Sequence, residues 1–190
     1  METSEQQKQK TNRRRKNLEK TTSCKSQSIK REIEKVKKSK IGVSTKFLSS
    51  RLRKCPNFIG AFPQDILENM HIRQLPVSFI INLDLSNQVG SHWIAVYITE
   101  NTVEVWDSLA LSKMYLKKHG KYLLRFLKQF KANRTFLSCR KLQPDTSNLC
   151  GFYCLFFLIH RQKHTFNQCQ SYFTDIKTND DRLSKYFSSF

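Results

Sequence analysis

Residues 143–160 read QPDTSNLCGFYCLFFLIH: a polar, turn-prone loop ends in Cys150 and Gly151 where a dense apolar run begins. Pro144, Asp145, Ser147 and Asn148 mark the loop, and the apolar run predicts a buried helix from Leu149 to about Lys163. A cysteine at that junction sits where unpaired helix N–H groups favour an anionic sulfur. The same place suits a small buried hydrophobe. Gly151 leaves room for another backbone, such as a substrate's, to come close.

The upstream sequence supplies a setting for that cysteine. LPVSFIINLDLS (75–86), SHWIAVYIT (91–99) and TVEVWDSLA (102–110) are rich in β-branched and aromatic residues and predict three strands. The last two form a hairpin about Glu100-Asn101. In the second strand His92, Ile94, Val96 and Ile98 share one face and Trp93, Ala95, Tyr97 and Thr99 the other. Residues whose numbers add to 201 pair across the hairpin, which makes Asp107 a diagonal neighbour of His92, roughly 7–8 Å away between backbones. A carboxylate there can hold an imidazole tautomer and stabilise its cation. Gln143, seven residues before Cys150, can bring an amide donor to the other side of the sulfur, opposite the backbone N–H of Cys150. Trp93 and Trp106 are by default core aromatics. Each residue alone is weak, and spacing leaves a thiol enzyme and a structural cysteine both open.

The remaining segments complete an α+β pattern without internal repeats. NFIGAFP predicts a loop packed by aromatics, and a short helix follows from Pro63 to Met70. An amphipathic helix with an N-cap at Ser112 runs to about Ala132, weakened near Gly120. TFLSCRKL (135–142) predicts a strand, and FNQCQSYFTDI and DRLSKYFSSF predict C-terminal helices.

Charge divides the 190-residue chain, whose net formal charge is +19. Residues 1–54 carry net +13 and, among aromatics, only Phe47; residues 55–190 carry +6. That contrast predicts a basic, disordered arm over 1–54 and a folded domain over 55–190. NRRRK (12–16) and KREIEKVKKSK (30–40) suit nuclear import or contact with DNA phosphates, or else a solvated tail. The six cysteines, with no signal-peptide-like stretch before them, are expected as reduced thiols. Cys150, Cys154, His160 and His164 do not suit zinc, because one helix holds the two pairs roughly 15 Å apart. The longest apolar run, 152–159, is far short of a membrane span.

The order SHW … VWDS … QPDTSNLCGFYC resembles the adenain (adenovirus-type) cysteine endopeptidases and their relatives in Maverick/Polinton elements and virophages. It is more distantly similar to the proteases of SUMO and other ubiquitin-like proteins. His92 to Asp107 spans 15 positions and Gln143 to Cys150 spans seven, over a resemblance that covers about 56–165. It implies an α+β fold with a mixed, mostly antiparallel sheet packed on a buried helix that starts at the nucleophile. It implies His92 as general base, Asp107 as its orienting acid, Cys150 as nucleophile and Gln143 as oxyanion donor. It implies cleavage of virion precursors next to small residues, glycine above all, by a monomer in the host nucleus or virion. The alternatives are a deconjugating protease and a non-catalytic nucleic-acid-binding protein. No metal or cofactor is implied for the chemistry itself. Activation by DNA or a peptide is a feature of adenovirus enzymes, whose cofactor disulfide finds no well-spaced counterpart in Cys139. Asp107 in place of glutamate and the long basic arm depart from those enzymes.

Overall fold

The computed structural model describes residues 6, 7, 10, 27–39 and 41–188. NRRRK (12–16) lies outside the described residues.

Helix α1 covers residues 27–39 and α2 covers Thr45–Leu52, with the Ser44 hydroxyl accepting from the Phe47 amide as its N-cap. Strand β1 (Phe58–Pro63) leads through a 3-10 turn, Gln64–Asn69, to β2 (Val77–Asn82). Strands β3 (Trp93–Ile98) and β4 (Thr102–Trp106) precede two short helices, α3 (Lys113–His119) and α4 (Lys121–Leu127). Strand β5 (Arg134–Leu137) and helices α5 (Cys150–His160), α6 (Phe166–Ser171) and α7 (Asn179–Ser188) complete the chain.

The five strands form one sheet in sequence order. β2–β3 and β3–β4 are antiparallel, whereas β1–β2 and β4–β5 are parallel. The α+β class holds, but the sheet is antiparallel only at its centre. NFIGAFP supplies the parallel edge strand β1 rather than a loop. The hairpin register is the expected one, with Ala95 opposite Trp106 and Val96 opposite Val105. Gly120 divides the 112–132 segment into two helices, the first ending on a bond from the Gly120 amide to the Leu116 carbonyl.

Period-two alternation separates two cores. Trp93, Ala95 and Trp106 face α5, while Ile94, Val96, Ile98, Val103 and Val105 pack with Leu116, Leu123 and Phe126 of α3 and α4. Helix α5 is buried from Cys150 to Leu158, because the sheet covers one side and α2 and α7 cover others. That all-round burial is what its continuous apolar run requires. Trp106 stacks on Phe157 at 4.8 Å between centroids, and Phe156 meets Phe173 and Tyr186 at 4.7 Å.

The expected boundary at residue 54 is corrected by the packing of the chain before it. Ile29, Ile33 and Val36, at helical spacing inside the basic run, are buried in the α5 core together with Val43, Leu48 and Leu52. The lysines and arginines between them lie on the outer face of α1. The described residues of 27–54 therefore belong to the folded body; the net charge of the segment concealed a three-residue apolar stripe.

Gly151 shows the closeness of this attachment. A Cβ there would overlap Val43 Cγ1 and approach Trp93 Cδ1 to 3.2 Å and Leu48 Cδ2 to 3.4 Å. Glycine is required by the chain's own N-terminal segment rather than by an approaching substrate. Gly151→Ala is expected to destabilise the protein by about 1–3 kcal/mol through overpacking. Adding Val43→Ala should recover part of that loss, a non-additivity measurable by denaturant unfolding of the two single variants and the double variant.

Candidate active site

The ends of β3 and β4, the loop before α5 and the first turn of α5 meet at one cleft of about 540 Å³, lined among others by His92, Trp93, Gln143 and Cys150. His92 precedes β3 rather than lying within it. Its carbonyl accepts from the Leu83 amide at 3.0 Å, and Asn82 Oδ1 accepts from the Asp84 and Ser91 amides at 3.0 and 3.2 Å. A buried asparagine thus ties both ends of the 83–91 loop together and sets the height of His92 above the sheet.

Asp107 lies one residue beyond β4. The chain turns at once, reaching Ala110 at φ +48°, so that the carboxylate folds back over its own backbone. Asp107 Oδ1 accepts from the Leu109 amide at 2.9 Å and Oδ2 from the Leu111 amide at 2.8 Å. Its own amide donates to Ser138 Oγ at 2.9 Å. The remaining contact is His92 Nε2 to Asp107 Oδ1 at 2.8 Å, with both side chains buried.

Electrostatics follow from this geometry. Burial opposes charge on His92, but hydrogen bonds to Asp107 and Cys150 and the charges of those groups outweigh it and push the imidazole up to about 10. Burial likewise opposes the Asp107 carboxylate, and the hydrogen bond and charge of His92 with the two loop amides hold it below its ordinary value. Because Nε2 is directed at the carboxylate, Nδ1 is the ring nitrogen left to meet Cys150.

Cys150 is the first residue of α5 and is buried. Leu149, at the N-cap position, provides no side-chain cap, and the helical ladder begins with the Phe152 and Tyr153 amides bonding to the Leu149 carbonyl. The amides at the helix tip are left as donors toward the cleft. Gln143 is held from both ends of its amide: Oε1 accepts from Ser108 Oγ at 2.6 Å, and Nε2 donates to the Ser147 carbonyl at 2.7 Å. Its own amide and that of Leu142 donate to the Ser108 carbonyl. This pins the loop before α5 to the end of β4 and leaves the second Nε2 hydrogen for a ligand.

All four sequence-designated residues, His92, Asp107, Gln143 and Cys150, come to this one region. The supporting residues Asn82, Ser108, Ser138 and Val43 were not legible beforehand. Asn82 had a faint signal, a polar residue ending an apolar strand; Ser108 and Ser138 fell within stretches expected as strands and lie just beyond β4 and β5. Cys154, one turn along α5, is fully buried in the α5 core, while Cys139 is exposed on the segment after β5. Among the described residues no cluster of three or more histidines, cysteines or carboxylates is placed to hold a metal, and no helix is long and apolar enough to cross a membrane.

No protein-family model and no curated protein matches the sequence. Among solved structures, the ASFV pS273R protease matches with a TM-score of 0.48 and 16% identity, over 78% of this chain and 67% of that one.

The pair predicts a pH dependence. The folded His92 value lies above the ordinary 6.5, so its stabilising contribution is complete below pH 6.5 and is lost as pH rises toward about 10. The Asp107 value is lowered from 3.8, so its contribution is complete above that pH and is lost as pH falls through the lowered value. Melting temperature should therefore decline between pH 6.5 and 10, and the decline should flatten in His92→Gln. In Asp107→Asn, the His92 ring resonances followed by NMR should titrate at markedly lower pH than in the parent protein.

Proposed function

We propose that the protein is a cysteine endopeptidase of the adenain-like kind that cleaves virion-precursor proteins of a DNA virus or Maverick-like element next to small residues. The observation that carries the reading is the buried Asp107–His92 pair at 2.8 Å, whose imidazole lines one cleft with Cys150 at an uncapped helix tip. A structural cysteine needs neither a buried imidazole beside it nor a carboxylate held by two loop amides.

In this mechanism His92 Nδ1 already holds the proton of the Cys150 thiol, in keeping with its raised value, and Cys150 Sγ attacks the scissile carbonyl carbon as the sulfur of that ion pair. Asp107 keeps Nε2 protonated and balances the imidazolium. The carbonyl oxygen becomes an oxyanion, which receives the Cys150 backbone N–H and the second N–H of Gln143 Nε2. Collapse breaks the C–N bond; His92 gives its proton to the leaving amine, and a thioester remains on Cys150. Water, losing a proton to His92, then attacks the thioester; the C–S bond breaks, releasing the acid and restoring the pair of Cys150 sulfur and protonated His92. The roles of Gln143 and Asp107 differ: the first acts on the developing charge, the second only through His92.

Electrostatics of the surface support association with nucleic acid. Residues 108–144 include ten lysines and arginines and no acidic residue, and those on α3 and α4 are exposed. With the exposed lysines and arginine of α1 they give the described residues a second cationic stretch. Titration of one DNA duplex at two salt concentrations should show steeply weaker binding at the higher; equal affinity would remove this part of the reading.

Catalysis is tested by limiting iodoacetamide and peptide mapping. Cys150 should be alkylated ahead of the other five cysteines, and His92→Ala should abolish that preference. Against Gly-containing peptides, Cys150→Ala should lose at least about 10³-fold in kcat/KM, and Gln143→Ala about 10²-fold, chiefly in kcat. Cleavage of an intact ubiquitin-like fusion with no cleavage of short peptides would assign the same triad to deconjugation instead.

A further inference from the structure

Residues 41–45 line the same cleft as His92 and Cys150, although more than 100 positions separate them from the nucleophile. Their attachment is specific. The Trp93 indole Nε1 donates to the Val43 carbonyl at 3.0 Å, and the Val43 side chain lies on Gly151. Val43 is therefore clamped between the residue after the candidate base and the residue after the candidate nucleophile. Helices α1 and α2 hold the segment from either side: Ile29, Ile33 and Val36 are buried before it, Leu48 and Leu52 after it.

The side chains on either side of this clamp have opposite fates. Val43 is 4% exposed, whereas Ile41, two residues earlier, is 72% exposed at the cleft. Val89, in the loop tied down by Asn82, lines the same cleft and is fully exposed. Isolated exposed aliphatics need no explanation, but two that line one cleft, each on a segment tied down by hydrogen bonds, make an apolar rim.

We infer that residues 41–45 form a substrate-binding wall of this active site, with Val43 a positioning residue that docks the wall and Ile41 a contact for an apolar side chain of the peptide substrate. The inference rests on the endopeptidase reading. An extended peptide would lie between the 41–45 segment and the 88–91 loop, its apolar side chain between Ile41 and Val89. The N-terminal region is then part of the recognition surface as well as of the α5 core.

The test compares two reagents on Cys150: iodoacetamide, too small to reach the rim, and a panel of peptidyl vinyl sulfones ending in Gly-Gly and led by leucine, alanine or aspartate. The full chain is used, with Ile41→Asp and Val43→Ala beside Ile66→Asp, an exposed aliphatic away from the cleft. The leucine-led probe should be preferred by the parent protein, and in Ile41→Asp its rate relative to iodoacetamide should fall about tenfold, through weaker binding. Val43→Ala should lower the same ratio for all three probes, and Ile66→Asp should leave it unchanged. A ratio insensitive to Ile41→Asp, or a parent protein indifferent to the leading residue, overturns the inference while selective alkylation keeps the endopeptidase reading. Loss of Cys150 selectivity toward iodoacetamide in the parent protein would overturn both.

Discussion

Burial of α5 is the constraint on which the rest of the structure depends. An 11-residue helix with apolar side chains all round has no solvent face, so other elements must enclose it. The sheet supplies one wall through Trp93, Ala95 and Trp106, and α7 and the N-terminal helices supply others. Transfer of a single large side chain from water to such an interior is worth about 1.5–3 kcal/mol. The helix therefore has little freedom to shift, and its first residue, Cys150, inherits that fixed position.

The polar groups at the tip are built from what the sheet has left over where its strands end. His92 stands just before β3 and Asp107 just after β4, at the same end of a hairpin whose register brings them together. Neither is held by the ladder itself. Asn82 anchors the loop that carries His92, and the amides of Leu109 and Leu111 fix the Asp107 carboxylate. Ser108, next to Asp107, also fixes Gln143 through both its hydroxyl and its carbonyl. A displacement of the turn after β4 would therefore reach the base and the amide donor together, which couples the two halves of the site mechanically.

Charge and packing make separate demands on the N-terminal segment. Its lysines and arginines keep the outer face of α1 in water, while Ile29, Ile33 and Val36 add a stripe to the α5 core. Average composition hides such a stripe, because three apolar residues among many cations barely change the mean. The same segment then delivers Val43 to Gly151 and the indole of Trp93. Fold stability and the shape of the cleft are in this way served by one short stretch of backbone.

Much of this protein was written in local pattern. Alternation along 91–99 set the two faces of β3, the spacing about Glu100-Asn101 set the hairpin register, and the loop-to-apolar transition at Cys150 set the start of α5. These are short-range properties, decided by side-chain period and turn chemistry within a few residues. The division at Gly120 was signalled locally as a weak point of the helix, whereas the parallel edge strand β1 and the inclusion of the described residues of 27–54 in the core were decided only by tertiary packing. So were the partners of Gln143 and the reason for glycine at 151. Each depends on which surfaces meet across dozens of residues, and no local period encodes that Val43 will fill the space a Cβ at Gly151 would need.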